Sequence, residues 1–421
     1  MSIPMPRPPR KNPVLRTPQL NLPPSARGRV ALGLTAAAAL GRFELQVCQD
    51  CGHVQYPARE ACGVCASARL RWRALDGAGE VLATTTLAHS NDLYFRERLP
   101  WRVGLVQLDV GPTVVVHLHR DVPTPSAALR PRVNVTARLD RTGQAVLIAL
   151  PSEETPHMSD DPMLREMGSD PKYRKILVTD GKSATGQALA KALADAGAER
   201  IWLGQAEPWK KTPGQDRALA LPQVTPVALD LSDERSVSEL AGNIGGKVDI
   251  VINNAEYHRT FGIGARRGSE NARTEMEINY FGLLRLAQAF GPALRGRASD
   301  GVVHATAWVN VLSIFALSNF PAHGTFSASK AAALSLSQCL RAEMRPAGIR
   351  VLNVFPGPID HEWNQNLPPP KLAPSALASA IVRALRDGVE DLYPGDVAQE
   401  WLERWRDNPK VLEHELAQHG L

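Results

Sequence analysis

Hydrophobic and polar residues follow two different periods along the chain. Between residues 29 and 150, short runs alternate apolar and polar positions, as in GEVLATTTLAHS, VGLVQLDV and RVNVTARL. Breaks that contain glycine or proline, such as DGAG and VGPT, separate these runs. Short runs with a period of two are typical of antiparallel strands, and this set predicts a sheet small enough to close as a barrel.

The pattern changes beyond residue 171. Continuous runs of Val, Ile and Leu, such as KILVTDG and VDIVINNA, alternate with helical segments such as ATGQALAKALADAGA. Buried strands that alternate with helices are typical of a parallel sheet covered on both faces. The sequence therefore predicts a doubly wound α/β domain over residues 172–421.

Two further segments lack either period. Residues 151–171 are polar and acidic, which predicts a linker. Residues 1–28 are rich in proline and arginine, and the first 43 residues contain no Asp or Glu. We interpret 1–28 as an extended basic arm, because its proline content and lack of a clean apolar run are atypical of targeting peptides.

Composition narrows the classes of function. The 421 residues are 44% hydrophobic and carry a net charge of +5, and no apolar run reaches the roughly 18 residues that a membrane span needs. These values predict a soluble, cytoplasmic protein of several domains without a membrane contact. They give little support to a nucleic-acid partner, which would favour a strongly basic surface.

Four of the five cysteines form two CxxC pairs separated by ten residues: Cys48, Cys51, Cys62 and Cys65. Two residues between cysteines let both sulfurs reach one ion, with Gly52 and Gly63 supplying a permissive backbone. Four thiolates close a tetrahedral shell, so the pattern predicts a structural zinc ion. Rubredoxin-type iron and four unrelated reduced cysteines remain as alternatives.

The same region resembles the DUF35 family over most of residues 30–150. The resemblance is carried by LGRFELQVCQDCGHVQYPAREACGVCAS and by the GxGxV pattern that follows Trp72. It implies a rubredoxin-like zinc ribbon joined to an OB-fold barrel. DUF35 proteins usually accompany a thiolase-like or related acyl-CoA enzyme as a small subunit, and their barrel can help to form the acyl-CoA pocket. The resemblance therefore implies partner binding and an acyl-CoA ligand.

Residues 172 to about 405 resemble the short-chain dehydrogenase/reductase family. The strand-to-helix turn that usually reads TGxxxGxG reads TDGKSATG here, so Asp180 and Ala184 replace glycines while Thr179 and Gly186 are kept. A carboxylate at Asp180 would repel a dinucleotide pyrophosphate. The positions that the resemblance assigns to cofactor binding are Thr179, Gly181, Gly186, Asp230, Asn253 and Ala255.

Two other family positions also depart from the pattern. Glu256 replaces the glycine of the usual NNAG segment, and Gln205 stands where an acidic residue would indicate NAD and a basic residue NADP. The sequence therefore argues against NAD(P) binding and gives no preference between the two cofactors.

The catalytic positions of the family fall on Asn279, Ser313, Phe326 and Lys330. The spacing from serine to aromatic residue to lysine is kept, but phenylalanine has replaced the tyrosine that acts as general acid. We therefore predict no confident catalytic residue and a degenerate reductase domain. His323 is an alternative proton donor.

The resemblance also implies a dimer through two long helices, here about 273–292 and 326–345. Cys339 in the second helix is interpreted as a small buried residue. Trp401 and Trp405 lie four residues apart on one helical face and are interpreted as core or interface anchors.

These observations favour a non-catalytic, auxiliary subunit of a thiolase-like or aldolase-like acyl-CoA complex. In that interpretation the OB domain completes the acyl-CoA site and the degenerate domain provides dimerisation or a scaffold. The alternative is an NAD(P)-dependent oxidoreductase that acts on a 3-keto- or 3-hydroxyacyl-CoA through Asn279, Ser313 and Lys330. A nucleic-acid module that uses the OB fold and the arm is the least favoured possibility.

Overall fold

The computed structural model describes residues 3–9, 20–24, 28–265, 267–300 and 304–419. The chain divides into two compact units, one formed mainly by residues up to Ser169 and the other mainly by residues from Asp170 onwards. None of the described helices has both the length and the apolar character that crossing a bilayer requires. Much of the predicted arm lies outside the described residues, and its described parts contain neither helix nor strand.

The first unit begins with helix α1 (Leu32–Ala39) and a small antiparallel sheet in the order β2-β1-β3. The strands are β1 (Glu44–Cys48), β2 (Val54–Gln55) and β3 (Leu70–Ala74). A Cβ on Gly33 would overlap the indole of Trp72, so glycine allows α1 to approach β3 closely.

Five strands then close the predicted barrel in the order β4-β5-β6-β8-β7, with β7 pairing back onto β4. They are β4 (Ala78–Leu87), β5 (Trp101–Leu108), β6 (Thr113–Leu118), β7 (Arg132–Leu139) and β8 (Ala145–Pro151), with the short helix α2 (Leu93–Arg96) between β4 and β5. All pairs are antiparallel except that of β6 with β8. Alternate residues such as Val106 and Leu108 point into a common apolar core.

The segment 151–171, predicted as a polar linker, contains helix α3 (Pro162–Glu166). The Asp161 carboxylate accepts hydrogen bonds from the backbone N–H groups of Met163 (2.8 Å) and Leu164 (3.3 Å), which caps the helix. Both capped residues pack in an apolar cluster with residues of β5 and β8. Part of this segment therefore belongs to the first unit as packed structure, because its few apolar residues are grouped on one helical turn.

The second unit contains a parallel seven-stranded sheet in the order β11-β10-β9-β12-β13-β14-β15. The strands are β9 (Lys175–Val178), β10 (Arg200–Gln205), β11 (Val224–Ala228), β12 (Ile250–Asn253), β13 (Ala307–Val311), β14 (Arg350–Val354) and β15 (Asp391–Leu392). The strand order reverses direction between β9 and β12, and ligand sites of such sheets form at the carboxyl ends of the strands there.

Helices connect these strands, and two more follow the last strand. They are α4 (Ala184–Asp195), α5 (Gln215–Leu219), α6 (Glu234–Ile244), α7 (Glu270–Met276), α8 (Gly282–Gly296), α9 (Gly324–Met344), α10 (Pro374–Asp387), α11 (Asp396–Asp407) and α12 (Pro409–His419). A π-helical turn, Glu277–Phe281, joins α7 to α8. The long helices predicted at 273–292 and 326–345 are thus present with slightly different bounds.

The prediction that Cys339 is buried is wrong. Its side chain is exposed on α9, whereas Ala333, Ser337 and Leu340 are buried. These buried residues recur at intervals of three and four and define the inner face, from which Cys339 is rotated away.

Trp401 lies on α11 and contacts two aromatic rings of the same unit. Its ring centroid is 5.4 Å from that of Phe315 and 6.2 Å from that of Phe320. This packing agrees with its interpretation as an anchor.

We expect Gly77→Ala to lower the free energy of unfolding of the first unit by about 1–3 kcal/mol. A Cβ on Gly77 would overlap the carbonyl oxygen of Val135. The two residues are held together by a hydrogen bond from the Val135 N–H to the Gly77 carbonyl (2.7 Å). Urea denaturation measures the effect. Gly28→Ala is the control because no atom lies within 4 Å of its added Cβ, and equal stability of the two variants would contradict the prediction.

Candidate functional site

Four cysteine sulfurs form the first candidate site. The Sγ atoms lie within 4.8 Å of one another, with Cys48 and Cys65 3.6 Å apart and Cys51 and Cys62 also 3.6 Å apart. Sulfurs each about 2.3 Å from a tetrahedral zinc ion would be about 3.8 Å apart. Backbone hydrogen bonds lower the pKa of the Cys48 and Cys62 thiols, whereas the pKa values of Cys51 and Cys65 are raised by the neighbouring cysteines although backbone hydrogen bonds oppose this. The donor set fits a closed, structural zinc site.

Two similar backbone turns hold the cysteines. The N–H of Gly52 donates to the Cys48 carbonyl and the N–H of Ala66 donates to the Cys62 carbonyl, both at 3.0 Å. Gly52 (φ +73°) and Ala66 (φ +56°) have left-handed backbones, whereas Gly63 does not. The expectation that Gly63 supplies a permissive backbone is therefore wrong. In each turn the left-handed residue is the one that follows the second cysteine of the pair.

The turn between β9 and α4 forms a second candidate site, at the carboxyl edge of the parallel sheet. The hydroxyl of Thr179 donates to Asn253 Oδ1 (3.0 Å) and accepts from the backbone N–H groups of Asn254 and Ala255 (3.1 Å each). One side chain therefore joins the ends of β9 and β12, so the structure brings together three of the residues predicted for cofactor binding.

Asp180 uses hydrogen-bond donors of this turn. Its Oδ1 accepts from the backbone N–H groups of Lys182 (2.9 Å) and Ser183 (3.3 Å). Burial raises the pKa of Asp180, and the nearby charge of Glu256 raises it further. Amides at such a turn normally attract anions, and here the chain's own carboxylate occupies two of them. Gly186 is required structurally, because a Cβ there would overlap the Asp180 carbonyl oxygen.

The other predicted cofactor positions also make contacts within the chain. A Cβ on Gly181 would overlap the Leu203 side chain of β10. Asp230 follows β11, and its Oδ1 accepts from the backbone N–H (2.9 Å) and the hydroxyl (2.7 Å) of Ser232. Gln205 is buried at the end of β10, and no hydrogen-bond partner of its Nε2 is found among the described residues.

Lys330, one of the predicted catalytic positions, is buried beside Phe326 and Glu256. Helix α9 places Phe326 and Lys330 one turn apart, and Ser313 follows β13. Lys330 Nζ lies 3.0 Å from Glu256 Oε2 and 3.2 Å from the carbonyl oxygen of Val311, to which it donates, and 5.4 Å from the centroid of the Phe326 ring. Although burial opposes ionisation, Lys330 keeps the pKa of Glu256 below its usual value. The lysine therefore faces a carboxylate and an aromatic ring without a hydroxyl.

The side chains of Asn279 and Ser313 form hydrogen bonds with other residues of the fold. Asn279 lies in the π-helical turn, where Oδ1 accepts from the N–H of Tyr257 (3.0 Å) and Nδ2 donates to the Tyr257 carbonyl (3.0 Å) and Ser329 Oγ (2.8 Å). Ser313 Oγ accepts from the N–H of Phe315 (3.2 Å). The polar side-chain atoms of both predicted residues therefore take part in structural hydrogen bonds.

Sequence reasoning missed His258 and His361. The His258 ring stacks on Phe326 with centroids 3.8 Å apart, and its Nε2 lies 2.9 Å from His323 Nδ1. His361 Nε2 lies 3.6 Å from Glu256 Oε1. Their positions in the sequence could have indicated them. His258 follows β12 and His361 follows β14, so both lie at the sheet edge where functional groups gather.

The buried histidine pair is neutral at pH 7. Burial lowers the pKa of His258 to about 3 and that of His323 to about 4. His323, the alternative proton donor, has no exposed surface and contacts His258. It therefore offers no surface to a substrate.

The strand order, the glycine-containing turn and the spacing of Ser313, Phe326 and Lys330 define a Rossmann-type domain of the short-chain reductase class. Residues 174–371 match the short chain dehydrogenase family. Residues 35–71 match the ChsH2 rubredoxin-like zinc ribbon domain, and residues 72–140 match the ChsH2 C-terminal OB-fold domain. These matches confirm the predicted zinc ribbon, OB fold and reductase-like domain in one chain.

Individual relatives agree with this assignment. A short-chain dehydrogenase from Burkholderia cenocepacia, solved in complex with NADP, is 34% identical with a TM-score of 0.53, over 59% of this chain and 98% of that one. The short-chain dehydrogenase ptmH of Penicillium ochrochloron is 30% identical over 47% of this chain and 70% of its own length. An uncharacterised oxidoreductase, Rv1543 of Mycobacterium tuberculosis, is 32% identical over 45% and 56%.

Through its second unit, the chain belongs to the short-chain dehydrogenase family. It spans only 41% to 56% of the length of the first curated relatives it matches.

Replacement of one zinc-binding cysteine, Cys62→Ser, should remove the zinc that resists dialysis and destabilise the first unit. Three thiolates hold the ion less tightly than four, and the ribbon has little apolar core of its own. Metal analysis and thermal unfolding measure the two effects. The matched control is Cys339→Ser, which changes an exposed cysteine of α9 and should retain about one zinc ion per chain. Equal zinc content in both variants would contradict the assignment.

Proposed function

We propose that this chain is an auxiliary subunit of an acyl-CoA-processing complex whose catalytic partner is thiolase-like or aldolase-like. In this proposal the OB-fold barrel completes the acyl-CoA site of the partner. The reductase-like unit acts as a scaffold and forms a homodimer through the α7–α8 segment and α9. The resemblance of the first unit to DUF35 proteins, and its matches to ChsH2 domains, support a role beside another enzyme.

The contact between Lys330 and Glu256, next to Phe326, carries the non-catalytic part of the proposal. Carbonyl reduction by this family needs a phenol to supply the proton and a lysine to lower the pKa of that phenol. Here position 326 has no transferable proton, and the lysine is paired with a carboxylate at 3.0 Å. The proton donor is therefore absent, and the lysine that would activate it is paired with Glu256.

The turn at Asp180 opposes cofactor binding in this proposal, whereas a relative that is 34% identical was solved in complex with NADP. Its carboxylate occupies the N–H groups of Lys182 and Ser183, which would otherwise attract a phosphate. A pyrophosphate would have to displace this side chain from the turn.

A second candidate function is an NADP-dependent oxidoreductase acting on a 3-keto- or 3-hydroxyacyl-CoA. The Burkholderia relative in complex with NADP favours it, as do the retained Thr179, Gly186 and Asn279. The hydride would pass from NADPH to the carbonyl carbon, and water would have to protonate the carbonyl oxygen.

The wild-type chain should not reduce a 3-ketoacyl-CoA with NADPH or NADH, whereas Asp180→Gly/Glu256→Gly/Phe326→Tyr, which also frees the turn at Asp180, should reduce it at about 100-fold or more above the background rate. Phe326→Tyr alone should gain little, because Glu256 still holds Lys330. NADPH oxidation and NADPH fluorescence measure turnover and binding. Thermal unfolding of each variant verifies its fold.

Wild-type turnover that is unchanged in Phe326→Ala would overturn the non-catalytic assignment and support the second candidate. The partner role has its own test, in which the purified chain is added to a candidate thiolase-like enzyme. Its acyl-CoA turnover should require the added chain and should be lost with Cys62→Ser. Equal turnover without the chain, with no complex in size-exclusion chromatography, would refute the auxiliary role.

A further inference from the structure

Three side chains at the carboxyl edge of the parallel sheet form a group that the reductase reaction does not use. Glu256 and His258 lie in the loop after β12, and His361 lies in the loop after β14. One ligand atom of each falls within 4.8 Å of the others. Two imidazoles and one carboxylate suit divalent first-row transition-metal ions, whereas Mg²⁺ and Ca²⁺ prefer oxygen ligands alone.

His258 has the arrangement of a metal-binding histidine. Its Nε2 lies 2.9 Å from His323 Nδ1, and no hydrogen-bond partner of its buried Nδ1 is found among the described residues. The side chain is 3% exposed. Metal-binding histidines commonly use the second ring nitrogen to hold the ring in place, which leaves the first for the ion. A buried ring nitrogen without a partner is otherwise unfavourable.

Glu256 is held in a similar way. Oε2 contacts Lys330 Nζ at 3.0 Å, and Oε1 lies 3.6 Å from His361 Nε2. The second distance is too long for a hydrogen bond. It is close to the roughly 3.4 Å that separates two ligands placed about 2.1 Å from a tetrahedral ion.

Two features oppose binding and limit its strength. The Lys330 ammonium repels a cation, and Glu256 already neutralises part of its charge. His361 Nδ1 accepts from the N–H of Trp363 (3.2 Å), which places the proton of the neutral ring on Nε2, and Asn364 Nδ2 lies 3.4 Å from that Nε2. The ring must move that proton to Nδ1 and give up the Trp363 hydrogen bond before Nε2 can bind an ion.

We propose that Glu256, His258 and His361 bind one divalent first-row transition-metal ion, separate from the zinc ion of the four cysteines. Three protein ligands leave coordination positions open to water or to an anionic ligand. The site is weaker than the cysteine site because of Lys330 and the proton on His361. This inference does not rest on the proposed auxiliary function.

Titration of the full, zinc-loaded chain with Co²⁺ tests the proposal. Co²⁺ bound to two imidazoles and a carboxylate should give visible d–d bands without the strong near-ultraviolet charge-transfer band of a cobalt thiolate. We expect one equivalent of this type per chain, with the zinc retained.

Glu256→Gln and His361→Asn should each weaken this binding at least tenfold. Asparagine at 361 keeps a side-chain oxygen that can accept the N–H of Trp363, so the local turn is preserved while Nε2 is lost. His414→Gln, in α12, is the matched control and should bind Co²⁺ as the wild type does. Lys330→Met should tighten binding about tenfold by removing the competing charge.

If the zinc-loaded chain binds no Co²⁺ even at millimolar concentration, the proposal is overturned. So would binding that Glu256→Gln and His361→Asn leave unchanged, which indicates an adventitious surface ion. Circular dichroism and the thermal midpoint show whether each variant still folds. If the Glu256 and His361 variants do not fold, the Lys330→Met titration tests the site instead. Unchanged or weaker Co²⁺ binding by Lys330→Met would then count against the site.

Discussion

A buried ammonium group is the constraint on which the cleft of the second unit depends. Lys330 is 2% exposed, and a buried charge without a partner costs several kcal/mol. The Phe326 ring contributes no oxygen to it. Its partners are instead Glu256 Oε2 at 3.0 Å and the carbonyl of Val311 at 3.2 Å. Phenylalanine at 326 and glutamate at 256 are therefore compatible replacements, because the carboxylate provides the polar contact that the aromatic ring does not.

This pairing also determines the protonation of the neighbouring groups. Although Glu256 is buried, Lys330 holds its pKa below the usual value. Burial raises the pKa of Asp180, and the negative charge of Glu256 raises it further. Burial keeps His258 and His323 neutral. At pH 7 the cleft thus contains one ammonium paired with one carboxylate beside two neutral imidazoles, which is a different distribution of charge from a phenol activated by a free lysine.

The features that the sequence predicts correctly depend on short stretches of chain. Period-two runs predict the barrel strands, the CxxC pairs predict a cluster of four sulfurs, and the TDGKSATG turn predicts the link from β9 to α4. The errors concern contacts or backbone angles that local patterns do not specify. Cys339 is exposed because of the way α9 lies against the sheet, and the left-handed backbone falls on Ala66 in place of Gly63. His258 and His361 meet only because β12 and β14 end at the same edge of a parallel sheet.

The two groups of metal ligands differ in how much of the fold is needed to bring their residues together. The cysteine site is built from two local turns, so its ligands need only a short ribbon to converge. The second group requires the complete sheet, and its carboxylate already neutralises a lysine, so an ion there competes with an existing contact. Glu256 therefore has two consequences at once. It pairs with the Lys330 ammonium, and it places beside His258 and His361 the negative charge without which imidazoles next to an ammonium would not attract a cation.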